Sequence, residues 1–331
     1  MKNKNLFLIA SILCLSVFTI SCKKNIATQQ TKTQQNQLVK TFRVVGYLNT
    51  WSNFPNSINS VDLAKLTHIN IAFANPDASG NLTSFSGLTT VAAKAHASNV
   101  KVLISLGGAD LGGSDAYWKN LTNTSNVNTF CNKILSYLQA NNLDGVDIDL
   151  EGNIIGNNYA NFIQLLSNTL KPDNKLVTAA VATWFEKNIP ASTFNYFDFV
   201  NIMSYDKTGP WDPNHPGQHS PYNMAVSDLN FWSNKGLPQN KMGLGVPFYG
   251  WGFGNDFSQN EYAFKKLVSQ YAGAENKDKV GNTIYYNGIP TIIKKTQLAK
   301  QQASGIMIWQ LTEDASGAKS LLSAIDSTVH N

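Results

Sequence analysis

Eight short apolar, β-branched runs punctuate this 331-residue chain, at 42–51, 65–76, 100–109, 143–152, 175–184, 197–206, 242–251 and 305–314. Helix-like, amphipathic stretches lie between them, at 89–98, 126–141, 159–170, 225–235 and 262–271. Continuous apolar strands belong to a parallel sheet covered on both faces, and strands alternating with helices are βαβ units. Eight such units predict an α/β chain folded as a single (β/α)8 barrel over 41–331. The alternative is an open doubly wound sheet. That fold ordinarily opens with a Gly-rich phosphate turn, and Val44-Val45-Gly46-Tyr47 offers none. Most of the runs end in polar or aromatic residues, on the side where a barrel carries its active site.

The first 40 residues are of another kind. Lys2 and Lys4 precede a mostly apolar stretch from 6 to 20, followed by Ser21-Cys22-Lys23-Lys24. The stretch is shorter than the roughly 20 residues of a membrane-spanning helix, so 1–21 is expected to be a signal peptide. Cys22, directly after a small residue, resembles the acylation site of a bacterial lipoprotein, although Thr19 stands where leucine is usual. The expected location is the cell envelope, with a lipid anchor and the barrel outside the cytoplasm; ordinary cleavage and secretion is the alternative. Residues 22–40, rich in Gln, Thr and Asn, form the expected flexible tether. With Cys22 acylated, Cys131 has no partner and no disulfide framework exists. Removing 1–21 takes away two lysines and no acid, which lowers the net charge from +5 to +3. That is too weak and scattered for nucleic acid and suits a neutral polymer.

The segment from Asp144 to Gly152 reads Asp-Gly-Val-Asp-Ile-Asp-Leu-Glu-Gly. Strand side chains alternate faces, so Asp147, Asp149 and Glu151 share one face and Val146, Ile148 and Leu150 the other. The apolar set is expected to pack on the helices and the acids to line the barrel, successive members about 6–7 Å apart along the strand. Three carboxylates so placed cannot all ionise cheaply, and like-charge crowding is expected to keep a proton on one of them near neutral pH. A retained proton suits general-acid catalysis. An exposed acidic edge or a metal site for a hard cation are the other readings; no histidine or further acid clusters nearby in sequence. Asp144 has the opposite parity and is expected to be structural.

Asp144 to Glu151 resembles the DxxDxDxE signature of glycoside hydrolase family 18, which includes chitinases and endo-β-N-acetylglucosaminidases. Ser105-Leu106-Gly107-Gly108 on the third run resembles the family's SxGG motif, Met203-Ser204-Tyr205-Asp206 on the sixth its M-x-Y-D motif, and Trp309 on the eighth its active-site tryptophan. The resemblance extends from about residue 42 onward. It implies a substrate-assisted mechanism on β-linked N-acetylglucosamine, in which the sugar's own acetamido oxygen is the nucleophile. Glu151 is then the proton donor and later the base. Asp149 holds the acetamido nitrogen, and Asp147 shares a proton with Asp149 and takes a hydrogen bond from Ser105. Tyr205 orients the acetamido oxygen, Trp309 forms a floor under the sugar, and Asp206 shapes the site or contacts sugar. Tyr47, Phe73 and Tyr249 are candidates for the same pocket, with aromatic barrel filling as the alternative. Trp51, Trp184, Trp211 and Trp251 fall at or beyond strand ends, where they could stack on pyranose rings or pack loops. No cofactor or metal is implied, and a monomer is expected.

The sequence departs from the commonest chitinase pattern at Leu150, where tryptophan is frequent, and at Gly152-Asn153, where Tyr-Pro often follows. The 250–305 segment looks too short for the large α+β insertion of many processive chitinases, which favours an open groove and internal cleavage. An endo-acting chitinase acting on chitin or related oligosaccharides is the expectation. An endo-β-N-acetylglucosaminidase on N-glycan cores shares the chemistry, and a non-catalytic lectin shares the fold; lectins typically lack the terminal Glu of the motif.

Overall fold

Each of the eight apolar runs contains a strand in the computed structural model, which describes residues 42–109, 115–152, 155–184 and 189–331. The expected leader, Cys22, the tether and Asn153 lie outside the described residues. The strands are β1 (Arg43–Asn49), β2 (His68–Ala72), β3 (Lys101–Gly107), β4 (Gly145–Asp149), β5 (Leu176–Val181), β6 (Phe199–Ile202), β7 (Met242–Pro247) and β8 (Gly305–Trp309). All pair in parallel, and β1 pairs with β8, Val44 opposite Ile306, to close the barrel. That pairing removes the open-sheet alternative. The strands end before the runs do, so Trp51, Phe73, Trp184 and Asp206 fall in loops just past the strands' C-terminal ends.

The described helices are α1 (Leu88–Ala97), α2 (Asp115–Leu121), α3 (Val127–Ala140), α4 (Tyr159–Leu170), α5 (Tyr222–Asn234), α6 (Phe264–Gln270), α7 (Ile289–Gln302) and α8 (Leu321–His330). Among the described residues, β1 and β2 are joined only by 3-10 turns at Asn56–Ser60 and Leu63–Lys65, and β5 and β6 only by one at Ala191–Asn195. Pro55 and Pro190 stand at the caps directly before the first and third of these turns, where the N–H that proline lacks has no partner within the turn.

The 242–251 run is not one strand: β7 stops at Pro247, and Tyr249–Gly252 begins a separate antiparallel sheet. Its other strands are Tyr262–Ala263, Lys279–Val280 and Ile284–Tyr285. No large insertion domain is present between β7 and β8, as expected, yet this small sheet presents Trp251 to the barrel mouth.

Two apolar layers hold the barrel. Val146, Ile148 and Leu150 of the carboxylate segment join the outer layer between sheet and helices. Val45, Tyr47, Phe199, Tyr205, Tyr249 and Met307 form a smaller cluster inside. Each buried aliphatic side chain contributes about 1.5–3 kcal/mol, and a one-residue slip would turn Val146 and Ile148 of β4 inward. The outer layer therefore fixes the register that keeps Asp147 and Asp149 inside. Asp144, of opposite parity, accepts from Val102 N and meets His96 Nε2, both at 2.7 Å, and so ties the start of β4 to β3 and α1.

Candidate active site

Asp147 is fully buried and receives three hydroxyl donors: Tyr47 (2.6 Å) and Ser105 (2.8 Å) on Oδ2, and Thr178 (2.6 Å) on Oδ1. Strand register sets this, since Ser105, Asp147 and Thr178 lie side by side on β3, β4 and β5. Burial pushes the Asp147 carboxyl above its usual range, and the bonds from Thr178, Tyr47 and Ser105 pull it partly back.

Asp149, at the end of β4, lies opposite Gly107 and lines the cleft. Gly107 has φ +119°, and a Cβ there would sit 2.0 Å from the Asp149 carbonyl oxygen; Gly108 N donates to that oxygen at 2.7 Å. A Cβ on Gly108 would strike the Phe73 ring at 2.6 Å. The paired glycines thus let β3 press against β4 and leave Phe73 room to stack on Trp309, ring centroids 5.8 Å apart.

Glu151 lies just past the strand, partly buried, in the cleft wall. Its carboxyl is raised to about 7, first by burial and then by the charge of Asp206. Burial and a carboxylate past the end of β6 thus enter beside the crowding expected within the segment. β4 ends at Asp149, so strand periodicity no longer governs where Glu151 points, and it faces the end of β6. There Asp206, at φ +61°, accepts on Oδ1 from Tyr249 OH (2.6 Å) and Trp251 Nε1 (2.9 Å), with His219 Nδ1 3.2 Å away. Asp and Asn tolerate this left-handed geometry better than most residues. The neighbouring Tyr205 is buried, and burial together with Asp149, Asp206, Glu151 and Asp147 pushes its phenol well up, so it stays protonated as a donor. Its hydroxyl lies 3.8 Å from Met307 Sδ.

The cleft has a volume of about 800 Å³. Asp149, Glu151, Tyr205, Asp206, Phe73 and Trp309 all line it, whereas Asp147, Ser105, Tyr47 and Tyr249 lie behind its surface. The four tryptophans of open role line it too. Trp51 is 62% and Trp211 57% exposed; Trp51 stacks on Phe73, ring centroids 6.3 Å apart, and Trp211 meets Trp251 edge to face at 5.5 Å. A larger groove of about 1030 Å³ between α7 and α8 shares no lining residue with the cleft and is lined by no acidic or aromatic side chain.

The family model of Glycosyl hydrolases family 18 matches residues 43–314. This chain belongs to that family. Among solved structures it is similar to the GH18 chitinase ChiB from the chitin utilization locus of Flavobacterium johnsoniae, at 39% identity and TM-score 0.82 over 87% of this chain and 94% of that one. It is 26% identical over 280 residues to an endochitinase of Brugia malayi, a match covering 73% of this chain and 53% of that relative. The chain thus spans about half the length of that relative. A chitinase-like agglutinin from Robinia pseudoacacia shares the fold at 23% identity and TM-score 0.73, over 86% of this chain and 98% of that one.

Several residues of this family 18 cleft carry no motif. Thr178 is reached only through the pairing of β4 with β5. His219, wholly buried, meets Asp206 through Nδ1 and the Tyr249 carbonyl through Nε2 (3.3 Å). Asn75 brackets Gly107, accepting from its N–H (2.7 Å) and donating to its carbonyl (2.8 Å). Glu261 lines the cleft and is hydrogen-bonded to the buried Glu313, whose carboxyl is pushed up to about 9 by burial and by Glu261. One proton between these two acids is the arrangement this favours near neutral pH. Among the described residues no cluster of three or more His, Cys, Asp or Glu is placed to hold a metal ion. Taken together, the site offers a protonated acid, a carboxylate one strand step below it, a neutral phenol donor and an aromatic floor.

Proposed function

We propose that this chain is an endo-acting chitinase that hydrolyses β-1,4-linked N-acetylglucosamine polymers with retention, by substrate-assisted catalysis. The observation that carries the reading is Glu151, holding a proton up to about pH 7 in a cleft shared with Asp149 and Tyr205. In this reading the acetamido oxygen of the sugar over Trp309 attacks its own anomeric carbon. Glu151 passes its proton to the departing glycosidic oxygen. Asp149 accepts from the acetamido N–H and offsets the positive charge of the oxazolinium ion, while Tyr205 holds the attacking oxygen in line. Water then adds to the anomeric carbon, and the Glu151 carboxylate takes its proton. Asp147, held by three hydroxyls, anchors the base of the array.

The chitinase names of the Flavobacterium and Brugia relatives support the substrate class. The agglutinin's shared fold shows that the barrel alone does not decide for an enzyme, but a binding protein has no use for an acid kept protonated beside a carboxylate. Purified protein incubated separately with chitin oligomers and with a high-mannose glycoprotein tests the reading. Oligomers should shorten from within, giving mixed products from the first time points, and the glycoprotein should remain intact. Release of the glycan instead would move the protein to the endo-β-N-acetylglucosaminidases.

We further propose that Cys22 carries a lipid anchor in the cell envelope, the barrel standing outside the cytoplasm. Among the described residues no helix is long and apolar enough to cross a membrane; in this reading the acyl chains on Cys22 hold the protein there. Cys22→Ser should move the protein from the membrane fraction to a soluble or unprocessed form, read by fractionation and immunoblot. More than one acyl chain is what makes such anchoring stable. Unchanged fractionation would leave secretion without an anchor.

A further inference from the structure

Behind the cleft wall runs a polar network in which Ser204, His219, Ser220 and Lys295 all have zero exposure. Lys295, in the middle of α7, donates to the Ser220 carbonyl at 2.7 Å and to Ser220 Oγ at 2.6 Å. Ser220 Oγ in turn donates to the carbonyl of Ser204 at 2.6 Å, the peptide unit that leads into Tyr205. Ser204 Oγ donates to Asp228 of α5 at 2.7 Å. One residue before Ser220, the His219 carbonyl accepts from Lys207 N at 2.9 Å, and the His219 ring meets Asp206. Residues 204–207 are therefore laced along 218–220, and 218–220 is fastened from behind by Lys295.

We propose that Lys295 is a positioning residue for the hydrolysis, clamping Ser220 and through the 218–220 segment fixing Tyr205 and Asp206 over the reacting sugar. For its catalytic consequence this rests on the function proposed above; its geometry does not.

Stability alone does not account for a lysine here. Burial of an ammonium is costly, and an apolar side chain of similar length in such a place is often neutral or stabilising. Substitution by methionine would leave no orphan: the Ser220 carbonyl keeps Asn287 Nδ2 at 3.0 Å, and the Ser220 hydroxyl keeps Ser204. What only lysine supplies is a fixed tie between α7 and the segment beside the active site. Asp228 and Asp278 are the charges that face it, and burial outweighs both, bringing the amine down to about 7. A neutral amine still offers two N–H donors, so the clamp holds in either protonation state.

The consequence is read at Glu151. Asp206 raises its carboxyl, and Asp149, Tyr205 and Glu261 line the same cavity. When the 218–220 segment loses its fastening to α7, Asp206 and Tyr205 are held less firmly and Glu151 should lose part of its extra proton affinity. In Lys295→Met, the Glu151 carboxyl, followed by carbon NMR in labelled protein, should titrate lower by about half a pH unit or more. On chitin oligomers kcat should fall about tenfold with KM within about twofold. Ser220→Ala should shift Glu151 the same way, and the double variant should add little, since both break one chain of contacts. A merely structural lysine would lower the melting temperature and leave the Glu151 titration in place. An unshifted Glu151 in folded Lys295→Met overturns the proposal, and if that variant does not fold, an unshifted Glu151 in Ser220→Ala does so. Because the titration needs no substrate, a wild-type protein inactive on chitin would sink the functional reading without touching this one.

Discussion

Glu151→Gln is expected to cut turnover of chitin oligomers by about a hundred- to ten-thousand-fold, the usual contribution of a positioned general acid. The amide keeps the side chain's shape, and the surfaces of Trp309, Phe73 and Trp51 are untouched, so the dissociation constant should change less than about tenfold. The loss falls on the chemical step because a sugar alkoxide is a poor leaving group without a proton. The sign with pH follows from the raised carboxyl. Below about 7 Glu151 holds the proton it must donate; as pH rises through that value the acid form is lost and the rate declines. Glutamine has no such titration, so the variant's residual rate should lack this alkaline limb. Initial rates across pH for both proteins, with binding measured by calorimetry, check the expectation. Turnover near wild type would take the donor role away from Glu151.

The barrel and the acid row were legible because their cause is local. Alternation of Val146 and Ile148 with Asp147 and Asp149 sorts the strand into two faces, and eight similar runs suffice to close a sheet. The two glycines after Ser105 were legible as a motif, though the reason for them, the approach of Gly107 to the Asp149 carbonyl, needs two strands in place. Other features arise only from long-range contact. Asp206 draws its partners from 219, 249 and 251, and Glu261 meets Glu313 across 52 positions. Strands of two residues, such as Tyr262–Ala263, are too short for any period to show. The buried face of α7 holds Lys295 and Thr296 among Ile292, Leu298 and Ala299, so its apolar stripe is broken in the sequence, and Lys295 is the residue that reaches behind the active site. The burial that raises Glu151 was not legible, since pattern reasoning sees neighbours along a strand and not the surroundings of a residue past its end.

The largest substrate effect concerns the acetamido group. When that group is the nucleophile, a chain whose cleaved sugar lacks it cannot form the oxazolinium ion, and Asp149 has no second carboxylate role to fall back on. β-1,4-linked glucose oligomers should be inert at concentrations where some binding occurs, while N-acetylglucosamine oligomers of the same length are cut. Thiazoline analogues of those oligomers should inhibit strongly, because they resemble the cyclised intermediate and enjoy the interactions reserved for it. Asp149→Asn should weaken that inhibition, since a neutral amide offsets the ring's charge less well than a carboxylate. The same substitution should also disturb the pH–rate profile, since it removes a charge from the cleft that Glu151 shares. The geometry of two displacements at one carbon requires that the first product carry the β configuration. Proton NMR of the anomeric signals in the first minutes of reaction reads this directly. Initial α product, or efficient cleavage of the glucose oligomers, would mean that a protein carboxylate or an activated water does the work assigned to the substrate.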